Sequence, residues 1–593
     1  MDLVSPKDLV KASKSLQLLG GEKFARLLFR ILRLDLINKM YNRHIHRPPD
    51  EFLTSILGDL KVNFTVPEND MENLPETGSF ITVSNHAYGG IDGLMLISLI
   101  NRKRSDYKVL VNFLLTQIAP LRGYFIGVNP FETHKDLRSS FGGLKDALIH
   151  LSNGHPMGFF PSGEVSSYKL KHRAITDREW QHSMLKFIKK ARIPVVPVYF
   201  SGHNSLQFNF LGFIHPVLRT AKLPSELLNK EGKQVQIRIG APVTVEEQDE
   251  FKDISDFGRF LRMKTYALGF TGRSEKSRYT LLLNTPEKIA EPVHDRLILE
   301  EIERIRNEHL LFRVKESCVF CVPSSKIPVI LKEIGRRREI TFREVGEGTG
   351  KSIDTDRYDP YFEQLFIWDD SDKQIVGGYR VGKGNQILTN FGIKGFYITS
   401  LFKINRRFSP ILNVSIELGR SFIIREYQKK ILSLFLLWKG ILYLLLKNPN
   451  YRYLLGPVSI SNEFSSYAKS LCAEFLRANY FNSEFAEYIR PRNPFRPRTG
   501  RVIEKELFLK HTEKDVQRLD NFIQDFDPKY KTPILLKKYL SVNAEVLGFN
   551  VDPQFNNCLD ALMILDLFEV PVSTIESLAK EFDDQSLLER FRK

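Results

Sequence analysis

The chain has 593 residues, 42% hydrophobic and 26% charged, so it is too long for one core and too apolar to be disordered. Its formal net charge of +16 predicts an anionic partner: nucleic acid, an anionic membrane surface or an acidic carrier protein. Four cysteines in so long a chain argue against a disulfide framework and suit a reducing compartment.

The first fifty residues are predicted to contain a basic amphipathic helix over residues 22–40. Such a helix lies in a membrane interface with its cations on lipid phosphates, or it packs on its own domain with a solvated basic face. The pattern leaves both interpretations open. The apolar side carries Phe24, Leu27, Leu28 and Ile31, and the basic side carries Lys23, Arg26, Arg30 and Arg33.

Residues 51–275 alternate short apolar runs with helical patterns, which is typical of an α/β domain with a mostly parallel sheet. The predicted strands are residues 80–85, 108–113, 124–129, 157–162, 193–202 and 235–240. The predicted helices are near residues 91–102, 134–152 and 177–191.

A charged helix over 286–309 is expected to connect this domain to the next, so that residues 276–310 form a linker and 311–593 a second α/β domain. The predicted strands of the second domain include residues 312–323, 364–370, 374–382 and 413–423, its predicted helices are 424–447 and 465–479, and its basic, Pro-rich segment 490–500 is predicted to be a loop.

Two further features of the second half receive an ordinary structural interpretation. No second pair of ligands completes a zinc site around Cys318 and Cys321, so both are interpreted as strand residues, with a redox dithiol as the alternative. The longest apolar stretch, Ile431 to Leu446, is shorter than a membrane span and contains Lys439, which predicts a buried helix. Because no signal peptide is visible, we expect a cytoplasmic protein.

The first candidate site follows a predicted strand and opens a predicted helix, in the segment Ser84 to Asp92. His86 can act as a general base near neutral pH, and Asp92 can return to its ring, hold its tautomer and stabilise the imidazolium. This is the His–Asp half of a catalytic triad, with the substrate's hydroxyl in place of the serine. Gly89 and Gly90 would allow a tight turn and admit an acyl chain.

A second turn strengthens this interpretation. The segment Phe160 to Ser166 also ends a strand, and its backbone N–H groups could hold a phosphate or an oxyanion. A proline-punctuated strand over 193–202 follows. These three blocks in this order resemble the glycerolipid acyltransferase family, which includes lysophosphatidate acyltransferase. The resemblance covers roughly the first 270 residues.

The chain departs from that family at three points. The step from His86 to Asp92 is one position longer than usual, Ser162 stands where the family has glutamate, and the usual arginine of the second block is missing, with Arg122 or Arg138 as possible substitutes. These departures disfavour a glycerol-phosphate acceptor, and the variant motifs resemble the O-acyltransferases of amino-acid lipid synthesis. The resemblance implies a catalytic role for His86 and Asp92. The implied substrate-binding residues are Asn85, Gly89, Gly90, Phe160, Pro161, Ser162, Gly163, Glu164 and Ser166.

The second half carries charged residues at predicted strand ends, in the segments 354–359, 376–380 and 416–422. Such groups can bind an amino acid zwitterion and orient a carrier's phosphopantetheine, and Glu417 could accept a proton from an attacking amine. Surface salt bridging is the alternative for any one of them. Together they resemble the N-acyltransferase branch of the GNAT superfamily, which contains acyl-homoserine-lactone synthases and ornithine or glycine lipid N-acyltransferases. The implied site has Glu417 as a catalytic residue and binds substrate through Asp356, Asp359, Arg380 and Arg420.

Fusion of the two halves resembles bifunctional amino-acid lipid synthases. This resemblance implies N-acylation of glycine or ornithine with a 3-hydroxyacyl group, followed by O-acylation of that hydroxyl. The expected donor is acyl carrier protein or a coenzyme A thioester, with no bound cofactor and no metal. One alternative is a lysophospholipid acyltransferase with a non-catalytic GNAT-like domain, and another is a basic peripheral membrane-binding protein.

The expected partners are acyl carrier protein, an anionic membrane surface, a small amino acid and lipid substrates. No nucleic-acid module is recognised, so nucleic acid is not an expected partner. We expect the protein to lie peripherally on the cytoplasmic face of the membrane.

Overall fold

In the computed structural model the chain divides into two compact units, residues 1–271 with 499–511, and residues 272–498 with 512–593. The predicted amphipathic helix over 22–40 is interrupted, since Arg33 has a φ of +57° and a helix begins again at Leu34; its positions 22–25 and 28 lie outside the described residues. Those are 31–128, 137–170, 174–214, 216–230, 232–270, 286–497, 505–528 and 531–581, with isolated positions near both termini.

The first unit contains a seven-stranded sheet in the order β1-β9-β8-β2-β5-β3-β4, in which only β8 and β9 pair antiparallel. A separate hairpin is formed by β6 and β7. The strands are β1 (Asn63–Thr65), β2 (Ile81–Ser84), β3 (Lys108–Asn112), β4 (Phe125–Val128), β5 (Met157–Phe159), β6 (Ser167–Lys169), β7 (Ala174–Thr176), β8 (Val195–Phe200) and β9 (Gln234–Ile239). The helices are α1 (Leu34–His44), α2 (Pro49–Asp59), α3 (Glu68–Met71), α4 (Gly90–Ile100), α5 (Leu137–Ser152), α6 (His182–Ala191), α7 (Leu206–Ile214), α8 (Pro216–Leu227), α9 (Val245–Asp249) and α10 (Ile254–Ala267).

The mostly parallel α/β sheet predicted from the alternating pattern is confirmed. Central strands such as β2 are buried along their whole length, which explains why their sequences are continuous apolar runs. One prediction near the site differs. The helix expected over 177–191 begins only at His182, because Gln181 has an extended backbone and donates its N–H to the Pro161 carbonyl.

The second unit is built on an eight-stranded sheet in the order β10-β11-β12-β13-β15-β16-β19-β18. All its pairs are antiparallel except β15 with β16. The strands of this part of the chain are β10 (Leu310–Val314), β11 (Ser317–Pro323), β12 (Glu363–Asp369), β13 (Gln374–Lys383), β14 (Phe402–Ile404), β15 (Ser415–Ile423), β16 (Tyr453–Ile460), β17 (Ile489–Pro491), β18 (Glu545–Asp552) and β19 (Cys558–Asp566).

The remaining helices follow in chain order, and the charged helix expected over 286–309 begins only at Asp295. They are α11 (Asp295–His309), α12 (Pro328–Glu344), α13 (Gly384–Phe391), α14 (Ile398–Leu401), α15 (Ser409–Asn413), α16 (Arg425–Gln428), α17 (Ile431–Lys447), α18 (Ser466–Asn479), α19 (Ser483–Ala486), α20 (Lys505–Thr512), α21 (Val516–Gln524), α22 (Ile534–Leu540) and α23 (Val572–Glu581).

The apolar helix predicted from residue 431 is present as α17, and it is largely buried, as expected. Cys318 and Cys321 lie within β11, also as the apolar run predicts. Within the described ranges, no helix is both long enough and apolar enough to span a bilayer.

Candidate active sites

The first site lies in the loop from β2 to α4, where the predicted His–Asp pair is formed. His86 Nδ1 is 3.0 Å from Asp92 Oδ2. The same carboxylate oxygen accepts the backbone N–H groups of Tyr88 (2.8 Å) and Gly89 (3.0 Å), which fix its position at the first turn of α4. Because the carboxylate accepts from Nδ1, the imidazole is left with Nε2 free to take a proton.

The imidazole is enclosed but still reachable. The His86 side chain is 18% exposed, and the Phe160 ring lies against it with centroids 4.4 Å apart. Gly89 has a φ of +101°, and a Cβ there would meet Val165 at 3.4 Å and Leu223 at 3.5 Å. A larger residue would therefore strain the backbone and narrow the approach to the ring.

The main chain of His86 is held by the base of the β6–β7 hairpin. Ser166, just before β6, donates its N–H to the His86 carbonyl oxygen at 2.7 Å. Asp177, just after β7, accepts the His86 N–H at 3.2 Å and the Ser166 hydroxyl at 2.5 Å. Asp177 is buried, and that burial raises its pKa. Sequence reasoning missed Asp177, since nothing local marks a residue 91 positions from His86 as its partner.

Asp177→Ala is expected to lower kcat for acyl transfer at His86 about tenfold with little change in KM, because one or two hydrogen bonds that position the His86 loop are lost. Asp177→Asn should recover most of the rate, since an amide oxygen accepts the same bonds. Steady-state kinetics on both purified variants test this. An Asn variant as slow as the Ala variant would show that the negative charge, not the positioning, is what matters.

The turn after β5 was predicted to offer N–H groups to an oxyanion, and its details refine that prediction. The Gly163 N–H donates to the Phe160 carbonyl at 3.0 Å, and the Ser162 hydroxyl donates to the Glu164 carbonyl at 2.8 Å. Among the residues described, the N–H groups of Ser162, Glu164 and Val165 have no acceptor. These are the donors that the turn can offer to developing negative charge.

Other predicted residues of this half serve the backbone. The Asn85 amide donates to the Phe200 carbonyl at 3.0 Å and accepts the Phe200 N–H at 2.7 Å, which ties the end of β2 to β8. The Pro161 carbonyl accepts the Gln181 N–H, and Gly90 is the first residue of α4. Glu164 is 42% exposed and pairs with two arginines that sequence reasoning did not select. Arg122 is exposed on the surface of this unit.

The second unit brings the predicted charged residues into one buried network. It has three arginines and three aspartates, so their formal charges balance. Asp356, Asp359, Arg380 and Arg420 were predicted as substrate-binding residues; Arg338, from α12, was not considered. The closest pairs are Arg380–Asp356 (2.7 Å), Arg420–Asp354 (3.0 Å), Arg420–Asp356 (3.1 Å), Arg338–Asp354 (3.1 Å) and Arg338–Asp359 (3.1 Å).

The arginines of this network favour the charged forms of Asp356 and Asp359. Burial by itself would raise the pKa of Asp356, but Arg380 and Arg420 hold it below its usual value. Arg338 and Arg380 do the same for Asp359 against the same effect of burial. The network is therefore a set of buried ion pairs with balanced formal charge, although Arg380 Nε and Nη2 have no hydrogen-bond partner among the described residues. It differs from the surface salt bridges that were the alternative interpretation.

Arg420 stands at the edge of this network in a strained conformation. Its φ is +54°, a region that a non-glycine residue rarely adopts within a strand. Its guanidinium packs against the Tyr397 ring at 4.8 Å and the Phe555 ring at 4.5 Å. These contacts, with the ion pairs to Asp354 and Asp356, hold Arg420 against a cavity wall.

That cavity lies where β15 and β16 part. The two strands pair only over residues 415–417 and 453–455. Beyond that pairing their side chains and the neighbouring α22 enclose a mostly apolar space, which suits an acyl chain better than a charged group. The cavity is lined by Tyr379, Leu418, Gly419, Arg420, Ser421, Leu454, Leu455, Gly456, Pro457, Leu535, Tyr539, Ala544, Met563 and Leu565.

Glu417, the predicted proton acceptor, is next to the cavity residue Leu418. Its two carboxylate oxygens accept the N–H groups of Tyr397 (3.0 Å) and Ile398 (2.7 Å), at the start of α14. Burial raises its pKa to about 7, although both hydrogen bonds and Arg380 oppose the shift. A carboxyl group with this pKa can accept a proton near neutral pH.

A second group of carboxyls was missed because its members are far apart in sequence. Burial and the charge of Asp552 raise the pKa of Asp560 to about 7. Burial raises the pKa of Glu347 to about 7 and raises that of Asp552. Asp560 Oδ2 is buried and has no hydrogen-bond partner in the described part of the chain. Near neutral pH this group carries less negative charge than its composition suggests.

Comparison with known proteins assigns both folds. Residues 10–272 match the family model described as acyltransferase, and residues 337–439 match that of the acetyltransferase (GNAT) domain. The chain therefore combines a glycerolipid-type acyltransferase domain with a C-terminal GNAT domain. The protein is an acyltransferase.

This acyltransferase is similar to relatives that carry two different names. A "Glycine N(alpha)-acyltransferase" of Bacteroides thetaiotaomicron is 29% identical over 299 residues, covering 48% of this chain and 87% of that protein. A protein of that name from Phocaeicola vulgatus is 27% identical, covering 48% of this chain and 84% of its own. A "Lyso-glycine lipid O-acyltransferase" of Bacteroides thetaiotaomicron is 27% identical, covering 41% of this chain and 88% of that protein.

Proposed function

We propose that this acyltransferase makes an amino-acid lipid in two steps. The GNAT domain transfers a 3-hydroxyacyl group to the α-amine of glycine, and the glycerolipid-type domain then esterifies the 3-hydroxyl with a second acyl chain. The observation that carries the proposal is that one chain is similar to two differently named proteins of one organism, one an N-acyltransferase of glycine and the other an O-acyltransferase of lyso-glycine lipid.

In the N-acylation, the glycine nitrogen attacks the thioester carbonyl, the C–N bond forms, and the C–S bond breaks to release the thiol. Glu417, with a pKa of about 7, receives the proton that the amine loses and passes it to the departing thiolate, so that the thiol is released and the carboxylate is regenerated. The cavity between β15 and β16 takes the acyl chain, since its walls are mostly leucine, proline, methionine and tyrosine.

In the O-acylation, His86 Nε2 takes the proton of the 3-hydroxyl as its oxygen attacks the second thioester. Asp92 stabilises the imidazolium that forms, as it does in a triad. The N–H groups of Glu164 and Val165 face the carbonyl oxygen as it becomes negative. His86 then returns the proton to the departing thiolate, so the dyad is regenerated.

We further propose that acyl carrier protein delivers the acyl groups and that the enzyme acts at the membrane surface. The net charge of +16 supports steering of an acidic carrier. At the described positions near the N-terminus, Leu27 and Ile31 are 54% and 60% exposed, with Arg30 and Arg33 also exposed beside them. Apolar and basic side chains exposed together favour an anionic lipid surface over a purely domain-packed helix.

Expression of the full chain in a host that lacks amino-acid lipids tests the proposal. With isotopically labelled glycine in the medium, the lipid extract is expected to contain a labelled species with two acyl chains, seen by mass spectrometry. A change confined to phospholipids, with no labelled lipid, would instead favour a lysophospholipid acyltransferase with a non-catalytic GNAT domain.

A further inference from the structure

Charged side chains flank the two residues at the base of the β6–β7 hairpin that bond to the His86 main chain. Glu164 comes two residues before Ser166, and Arg178 comes directly after Asp177, so both adjoin the residues bonded to the His86 main chain. Arg219 arrives from α8, one turn before Leu223, the residue that lies against Gly89. Three separate segments therefore place these charges beside the entrance to His86.

The two arginines share Glu164 as an anchor. Arg178 Nη1 is 2.6 Å from one Glu164 oxygen, and Arg219 Nη2 is 3.1 Å from the other. Arg219 is only 14% exposed, whereas Arg178 is 50% exposed. Each guanidinium uses one nitrogen in this arrangement, and neither has another partner among the residues described, so N–H donors of both remain for a ligand.

This cluster has an excess of positive charge. Lys169 lies close enough that its pKa is lowered by burial and then by the charge of Arg219, while Glu164 acts in the opposite direction. Two carboxylates, Glu164 and Asp177, thus lie among three basic groups, so the cluster keeps a net positive charge. An ion pair that served stability alone would need only one arginine for Glu164. The excess positive charge therefore favours an anion placed between the two guanidinium groups.

We infer that Arg178 and Arg219 bind the carboxylate of the O-acylation acceptor, an N-(3-hydroxyacyl) amino acid, while its hydroxyl lies at His86 Nε2. The inference rests on the proposed function, because it takes its acceptor from it. A carboxylate pairs well with the planar, forked donors of arginine. In the acceptor it is separated from the 3-hydroxyl by the amide and three carbon atoms, and the cluster adjoins Ser166 and Asp177, the two residues that bond to the His86 main chain.

The two arginines would bind any oxyanion in the same way. The phosphate of the carrier's phosphopantetheine is therefore a second candidate ligand. The donor thioester also comes to His86, so the experiment must separate acceptor from donor. A neutral analogue of the acceptor does this, because changing the headgroup carboxylate to a carboxamide leaves the donor untouched.

The test uses the purified full chain with an acyl carrier protein donor and two synthetic acceptors, N-(3-hydroxypalmitoyl)glycine and its primary carboxamide. Wild-type protein is expected to prefer the carboxylate by about 10- to 100-fold in kcat/KM, the range of a charge-assisted hydrogen bond. In Arg219→Gln and Arg178→Gln this preference should fall toward one, through a raised KM for the carboxylate acceptor rather than a lower kcat.

Arg192→Gln is the matched control, since it breaks another exposed ion pair of the same unit, with Asp249, away from this cluster. It should keep the full preference. Arg178 is half exposed, so Arg178→Gln still tests the site if Arg219→Gln does not fold.

The other outcomes have distinct meanings. Equal use of both acceptors by the wild type would overturn the inference and leave the proposed function standing. A raised KM for the donor alone would assign the arginines to the carrier's phosphate and overturn the carboxylate assignment. Failure of the wild type to acylate either acceptor would contradict the proposed function itself.

Discussion

His86→Gln is expected to stop O-acylation while N-acylation continues, so that cells accumulate a glycine lipid with one acyl chain. Glutamine can still donate to Asp92 but cannot take a proton from the hydroxyl, and loss of a general base typically costs about 10²- to 10⁴-fold in rate. Mass spectrometry of lipid extracts gives the ratio of singly to doubly acylated species, and kinetics on the purified variant give the rate.

The glutamine variant tests the chemistry more cleanly than alanine does. Asp92 is fully buried, and alanine would leave its carboxylate facing an empty space where the ring had been. His182→Gln is a suitable control, because His182 is a surface histidine of the same unit that bonds to Ser255. Unchanged O-acylation in His86→Gln would remove the dyad from the mechanism. Loss of both lipid species in a folded variant would contradict independent halves.

Glu417→Gln is expected to abolish N-acylation by a similar factor of about 10²- to 10⁴-fold, and with it both lipid species in cells. Supplying the singly acylated lipid to the variant should restore the doubly acylated product, because the His86 dyad lies in the other unit. Without that rescue, Glu417 could not be assigned to the first step alone. Glu545→Gln, an exposed carboxylate on β18, provides the control.

The rate of N-acylation should also depend on pH in a way set by Glu417. With a pKa of about 7, the carboxyl is protonated below pH 7 and available as a base above it. The wild-type rate should therefore rise with pH and level off above about 7, and the residual rate of Glu417→Gln should lack this rise. A wild-type profile flat between pH 6 and 8 would argue against Glu417 as the base.

The same ionisation affects stability in the opposite direction. A carboxyl whose pKa is raised from 4.5 to about 7 on folding favours the folded state below pH 4.5, and that contribution is lost as pH rises to about 7. Glu347 and Asp560 share the behaviour, so the wild-type Tm should fall over this range. The fall should be smaller in Glu417→Gln, which has one such group fewer.

The sequence by itself determined the elements whose signals are local. His86 and Asp92 lie on one strand–turn–helix unit, so their spacing with two glycines between them was enough to predict the pair that the fold forms. Central strands such as β2 were recognisable because burial on both faces requires continuous apolar residues. Residues 558–566 were not predicted as a strand, since an apolar run of this length fits a buried helix equally well.

Only the tertiary structure decided which distant groups meet. Asp177 reaches the His86 main chain from the hairpin, and Arg219 reaches Glu164 from α8. Arg338 reaches the aspartates from α12. The charged residues of the second half were predicted to bind substrate, and the fold buries them in a network of balanced formal charge. Whether an arginine is satisfied or left with free donors depends on its neighbours in space, and the one-dimensional sequence does not encode those neighbours locally.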